Sequence, residues 1–245
     1  NFERPFLQAY YEKWYRPDNQ AIVVVGDVDV DKIEQKIKTL FGPIKLPENR
    51  ALVTTEAVPD NNEPIVVIDK DKEQRINMVS VMMKHEPFPD SLKSSIAYML
   101  ADYMKNAAIS MLNDRLKEYA EKPESPFIQA RADDGVYLLS RPVDAFELDV
   151  VPKDGQMEPA LTAALTEVRR AAEFGFTTTE YSRFKADYES NLDKQYSNKD
   201  KRYNSQFVDQ YVDHFLPVTG VTGFGRFPYL LYIFSYPRPD RKSVV

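Results

Sequence analysis

The chain contains no cysteine and only two histidines, His85 and His214. The first absence excludes disulfides, thiolate metal sites and cysteine nucleophiles. It leaves both a periplasmic and a cytoplasmic location open. The second excludes a zinc helix of the HExxH or HxxEH kind, which needs two histidines on one helical face with a glutamate beside them. His85-Glu86 runs straight into Pro87, Phe88 and Pro89, so neither a second histidine nor a helix follows. His214 stands alone near a predicted helix end, where a cation suits the helix dipole. Glycine is scarce, at 8 of 245 residues, which disfavours glycine-cradled phosphate sites. No basic run exceeds a pair such as Arg169–Arg170, and the net charge is −6. Nucleic acid, which is bound by clustered Lys and Arg, is therefore excluded as a partner. An anionic membrane surface is disfavoured for the same reason. No apolar run reaches the roughly 18–20 residues of a membrane span. The chain opens on Asn1 with no basic and apolar leader pattern, which reads as the inside of a longer protein or a processed product.

What is present is an ample supply of apolar residues, 43% of the chain, enough for a core. Residues 2–15 carry Phe6, Leu7, Tyr10, Tyr11 and Trp14 at helical spacing. Pro17-Asp18-Asn19 predicts a turn, and Ala21–Val25 a buried strand. Asp29 or Asp31 caps a helix with Ile33, Ile37, Leu40 and Phe41 on one stripe, stopped by Gly42 and Pro43. Residues 43–63 lose periodicity and read as a linker, with room for a short strand over 51–58. Strands are expected at Ile65–Ile68 and Ile76–Met83, joined by a charged connection. Asp90 or Ser91 caps a long helical region to about Tyr119, with a break near Asn106. Asp133-Asp134-Gly135 between Phe127–Ala132 and Val136–Ser140 predicts a tight hairpin. Another strand covers Phe146–Val151. A helix over 157–174 ends at Gly175, and Thr177 with Glu180 fits a capping box for the next helix. Tyr181, Phe184, Tyr188, Leu192 and Tyr196, then Tyr203, Phe207, Tyr211 and Phe215, recur at helical spacing and read as core. The order, hairpins with segregated helices, indicates α+β with a largely antiparallel sheet and helices on one face.

The chemistry these residues offer is incomplete. Gly26-Asp27 after a β-branched run resembles the start of a phosphate loop. Yet the Rossmann fingerprint needs three glycines and a P-loop needs Gly-Lys-Ser/Thr. Asp27, Asp29 and Asp31 repel phosphate, so a strand end and helix cap are the better reading. Asp133 and Asp134 form a metal-pair candidate, but their place before Gly135 favours turn chemistry. Lys72, Glu73 and Arg75 offer charges for a peptide terminus, with a solvated connection as the simpler reading. The aromatic series as a base-stacking platform conflicts with the acidic charge. No GxSxG nucleophile is present. No catalytic, cofactor-binding or metal-binding residue is assigned to this chain.

Four segments taken together resemble the pitrilysin/insulinase family of zinc metallopeptidases, which includes the mitochondrial processing peptidases. The first is FLQAYYEKWYRPDNQAIVVVGDVDVDKIEQKIKTLFG, where Tyr15, Pro17, Asn19, Val24, Val25, Gly26, Asp27, Phe41 and Gly42 match the family pattern. The others are IDKDKEQRINMVSVMM, SMLNDRLKEYAE and GFTTTEYSRFKADY. The resemblance covers residues 2–215. It implies a clamshell enzyme of two halves, each of two similar α+β domains, with zinc held in the first domain by two His and a Glu. The Glu inside HxxEH is then the base acting on zinc-bound water. None of those positions exists here, so no cofactor is expected in this chain and zinc is expected in the full-length parent. Residues 1–42 would end the catalytic domain, 43–63 link, and 64–215 form the second, noncatalytic domain, with 216–245 an atypical tail. The implied partners are a peptide or protein substrate, the missing catalytic domain and the second half of the parent enzyme. The implied function is enclosure and binding of peptide substrate within a zinc metalloendopeptidase. The alternative is an inactive family member acting as a binding or assembly subunit. The chain alone is expected to be inactive.

Overall fold

The computed structural model describes residues 3–140 and 142–215. Expectations for 216–245, including the apolar run 227–234, lie outside the described residues, as do the side chains of His214 and Phe215. The chain divides into two units, one of residues 3–54 with 197–215 and one of 55–196. The break falls inside the stretch read as a linker.

The first unit is helical. Helix α1 (Arg4–Trp14) is followed by a 3-10 turn at Pro17–Asn19, then α2 (Val30–Phe41). Asn19 donates from its amide to the Trp14 carbonyl at 3.0 Å, closing the open end of α1. This gives the Tyr-x-Pro-x-Asn pattern a local cause: Pro17 opens the turn and Asn19 satisfies a helix carbonyl that lacks a partner. Arg16 is buried, donating to Asp18 at 3.1 Å and to the Ala51 carbonyl at 2.8 Å, while Arg50 reaches the other Asp18 oxygen at 3.1 Å. Asp29 caps α2 by accepting from the Lys32 amide, and Glu34 pairs with Lys38 across one helical turn. The stretch 21–25 is not a strand, and Ile22 and Val24 are exposed. The reason is topological: no strand lies in this unit among the described residues, so a β-prone run has no ladder to join. The stretch 51–58 likewise forms no strand.

The second unit holds a three-stranded antiparallel sheet in the order β1-β3-β2, formed by β1 (Val79–His85), β2 (Phe127–Val136) and β3 (Asp144–Pro152). Helices α3 (Ile96–Ala120) and α4 (Met157–Phe174) pack on the sheet. The core joins Leu112 and Leu116 of α3 to Phe127, Ala130 and Ala132 of β2, Leu148 and Val150 of β3, and Ala160 and Ala164 of α4. The alanines let helix and sheet approach closely while leucine and phenylalanine fill the space between. A second cluster joins Tyr103, Ala107 and Met111 to Phe184 and Leu192 of α5 (Thr178–Ser197). Antiparallel sheet and one-sided helices make the fold α+β, as the sequence predicts.

Several local expectations change. Asp133, Asp134 and Gly135 are not a turn but ladder residues paired with Glu147, Phe146 and Ala145. The chain reverses after Val136, and Leu138 takes the left-handed backbone there, with φ +51°. The β2–β3 ladder runs on through Gly135 to Val136 and Gly135 has no positive φ, so the Asp-Gly pair makes no type I′ turn. Helix α3 starts later than expected, capped by the Ser95 hydroxyl, which accepts from the Tyr98 amide; Asp90–Leu92 forms a separate 3-10 turn. It runs unbroken through Asn106, whose amide donates to Asp102 one turn back. Of the aromatic series, Phe184 is buried, but Tyr203 and Tyr211, flanking and within α6 (Asn204–Phe215), are exposed. Spacing alone does not tell which positions of an apolar stripe are buried and which face solvent.

Gly175 ends α4 with φ +66° and ψ −152°, a region essentially open only to glycine. Gly175→Ala is expected to cost about 1–3 kcal/mol, read as a shift of the denaturant midpoint without change in slope.

Candidate functional site

The second unit positions its polar groups around the sheet in three places. The first is the sheet face opposite the core. Strand alternation places Ser80, Met82 and Lys84 of β1, Ala145, Glu147 and Asp149 of β3, and Arg131 and Asp133 of β2 on this face. The Ser80 hydroxyl donates to Asp149 at 2.5 Å across the β1–β3 pair. Partial burial, then the carboxylates of Asp149 and Asp133, push the Glu147 carboxyl above its ordinary range. Lys84 donates to the Pro59 carbonyl at 2.6 Å and lies 3.9 Å from Asp60.

The second place is the end of the sheet at His85. The His85 ring, through Nε2, sits 3.2 Å from an Asp134 carboxylate oxygen, and Nδ1 lies 2.9 Å from the Glu86 carbonyl. Lys105 of α3 approaches the other Asp134 oxygen at 3.4 Å and donates to the Asp134 carbonyl at 3.2 Å. Asp134 is thus held between an imidazole and an ammonium group. Asp133 lies on the opposite face of the strand, so the two aspartates are not brought together as a metal pair. A cation already occupies the neighbourhood of Asp134, and the set does not fit zinc, which takes three or four His, Cys or carboxylate ligands. Among the described residues no group of three or more such side chains is arranged to hold a metal ion.

The third place is the outer edge of β2, and it depends on a residue that sequence reasoning missed. Asn113 of α3 donates from its amide to the Ala132 carbonyl at 2.9 Å and accepts from the Ala132 amide at 2.7 Å. One side chain therefore satisfies both backbone groups that an edge strand turns outward at that residue. With Lys105 on the Asp134 carbonyl, α3 guards this edge against strand addition. The signal for Asn113 in the sequence is slight: one of several polar residues of a long amphipathic helix, next to buried Leu112.

Other expected positions contribute less. Lys72 and Glu73 occupy a turn in which the Gln74 amide donates to the Asp71 carbonyl at 3.2 Å. They and Arg75 are exposed, as the solvated reading has it. Among the described residues, a Cβ at Gly26 would meet Asn204 and Val28, at 3.7 and 3.8 Å. An open cleft of about 530 Å³ lies beside the start of α4, lined in part by Tyr119, Glu124, Gln156 and Glu158. No candidate residue from the sequence lies in it. No helix among the described residues is long and apolar enough to cross a membrane.

Comparison with known proteins accords with this geometry. A family model described as the peptidase M16 inactive domain matches residues 1–188. The probable zinc protease PqqL of Escherichia coli strain K12 is 25% identical over 178 residues, a match covering 71% of this chain and 18% of the relative. The chain thus spans less than a fifth of that protein's length. Among solved structures, a "predicted insulinase family protease" from Yersinia pestis superposes with a TM-score of 0.74 at 17% identity, covering 96% of this chain and 50% of that one. The ferredoxin protease FusC, solved as a mutant in complex with Arabidopsis ferredoxin, gives a TM-score of 0.66 at 16% identity, covering 97% of this chain and 26% of that one. At such identities the structural likeness shows the fold. The family match, spanning more than three quarters of the chain, shows that it belongs to the pitrilysin/insulinase peptidases through their M16 inactive domain.

Proposed function

We propose that this chain is a noncatalytic region of a zinc metalloendopeptidase, where it helps to enclose and bind peptide substrate. The observation that carries the reading is the match of residues 1–188 to an inactive domain of a peptidase family. Support comes from the relative PqqL, named a probable zinc protease, and from FusC, whose structure holds a protein beside the protease. In this reading residues 1–42 close a preceding catalytic domain, 43–63 link, and 64–215 form the second domain, with 216–245 as a tail. The exposed apolar residues of α1, Phe6, Leu7, Tyr10 and Tyr11, then pack on the remainder of that catalytic domain. Zinc belongs to the parent and is held by residues outside this chain. The partners are the catalytic domain, the second half of the enzyme and a peptide or protein substrate.

The chain alone is expected to bind no stoichiometric zinc and to cleave no peptide. Metal analysis with a fluorogenic peptide assay measures both, and chelator-sensitive turnover by the purified chain would overturn the reading. The parent sequence provides the second test. An HxxEH motif roughly 150–200 residues upstream, the size of an ordinary domain, supports the peptidase. Its absence makes the parent an inactive binding or assembly subunit.

A further inference from the structure

The chain holds two Asp-Gly sequences, Asp134-Gly135 and Asp154-Gly155. An aspartate before glycine is open to attack by the next backbone nitrogen, because glycine has no side chain to block the approach. Both aspartates have the same following residue, so the fold decides which of them can react. Attack requires the peptide between the two residues to rotate until the glycine nitrogen faces the aspartate side-chain carbon. At Asp134 that peptide is fixed. Asp134 and Gly135 pair with Phe146 and Ala145 of β3. Lys105 donates to the Asp134 carbonyl at 3.2 Å, and the side chain is held between His85 at 3.2 Å and Lys105 at 3.4 Å. Asp154-Gly155 is the opposite case. It forms the centre of the reversal from β3 to α4, closed by the Gln156 amide donating to the Lys153 carbonyl at 2.9 Å. Gly155 has φ +71° and Asp154 has no positive φ, which makes a type II turn. Both residues are exposed, and a Cβ at Gly155 would meet nothing within 4 Å among the described residues. Among the described residues neither the Asp154 carbonyl nor the Gly155 amide is hydrogen-bonded. The central peptide of this turn can therefore rotate without breaking the bond that closes it.

We propose that Asp154 is a site of isoaspartate formation in the folded protein, and that the fold protects Asp134 from the same reaction. The Gly155 nitrogen attacks the γ-carbon of the neutral Asp154 carboxyl group. A C–N bond forms, the carboxyl hydroxyl and the amide proton leave as water, and a cyclic succinimide closes. Water then opens the ring. Addition at the former side-chain carbonyl restores aspartate. Addition at the former main-chain carbonyl breaks the original peptide bond and leaves the chain running through the side-chain carbons, as isoaspartate. Water is lost and regained, so the net change is an isomerisation that needs no oxidant, reductant or other co-reactant. The product carries an extra methylene in the backbone between Pro152, the last residue of β3, and Met157, the first of α4. That insertion falls beside the cleft that Gln156 and Glu158 help to line. This inference stands apart from the proposed peptidase role and survives its failure.

The test uses the full, unsubstituted chain, aged at neutral pH, digested and mapped by mass spectrometry. Isoaspartyl residues are marked with an isoaspartate O-methyltransferase and assigned to their peptides. Isoaspartate at 154 is expected to accumulate at least about tenfold faster than at 134, where reaction must wait for local opening of the ladder. The same chain aged unfolded in denaturant is expected to form it at the two positions at comparable rates, since glycine follows both. Asp154→Glu keeps the charge at the turn but would need a larger ring, and is expected to remove the mark from that peptide. Equal rates at 154 and 134 in the folded chain, or no isoaspartate at 154, would overturn the proposal. A preference for 154 that persists undiminished in denaturant overturns it as well, because neighbouring sequence rather than the fold would then be the cause.

Discussion

Arg115→Ala is expected to lower the stability of the second unit by about 3–4 kcal/mol, in the range for removing one partner of a largely buried ion pair. Arg115 of α3 donates from Nε to one Glu180 oxygen at 2.5 Å and from a terminal nitrogen to the other at 2.9 Å. It also donates to the Gly175 carbonyl at 3.0 Å, and its guanidinium lies 4.7 Å from the centre of the Phe176 ring. Glu180 is at the same time the capping-box residue of α5: it accepts from the Thr177 amide and hydroxyl, and its own amide donates to the Thr177 hydroxyl. One arginine therefore ties α3 to the reversal between α4 and α5. Loss of it leaves a carboxylate, with both side chains less than a quarter exposed, and a backbone carbonyl without their partner.

The same pair sets a pH dependence with a definite sign. The Arg115 hydrogen bond, opposed by burial and reinforced by Thr177, brings the Glu180 carboxyl down from 4.5 to about 2. A depressed carboxylate binds fewer protons in the folded state than in the unfolded chain. Its stabilisation is therefore complete above pH 4.5 and drains away as pH falls toward 2. Glu180→Gln is expected to flatten that part of the stability profile while lowering stability at pH 7. Denaturant unfolding at several pH values measures it, and an unchanged acid slope in the variant would remove the assignment.

Asn113→Ala is the second large effect, expected at about 2–4 kcal/mol. Ala132 is fully buried, and its amide and carbonyl both depend on the Asn113 side chain. Each buried backbone group left without a partner costs about 1–3 kcal/mol. Asn113→Asp separates the two bonds, since a carboxylate still accepts from the Ala132 amide but cannot donate to its carbonyl. The aspartate variant should therefore recover part of the loss at pH 7. Because the opened edge of β2 can then accept another strand, concentration-dependent association is expected in the alanine variant, visible by light scattering. A variant that loses stability by less than about 0.5 kcal/mol, the scale of an ordinary surface change, would show that solvent replaces the asparagine.

The amino-acid sequence by itself determined the helices and where most of them stop. Asp29, Gly42, Thr177 with Glu180, and Gly175 act on their own neighbours, so their effect is local and legible. The family resemblance was legible too, since it rests on spacing. The tertiary structure alone decided which β-prone runs become strands. Residues 21–25 and 65–68 are richer in β-branched side chains than β1 or β3 and still form no strand, because a ladder needs a partner supplied from elsewhere in space. It decided that Asp133-Asp134-Gly135 lies within a strand, because residues 145–147 of β3 pair with it. It decided the roles of Asn113 and Arg115, whose partners are 19 and 65 residues away. Local chemistry is written where it acts; long-range pairing is fixed only once the chain has folded back on itself.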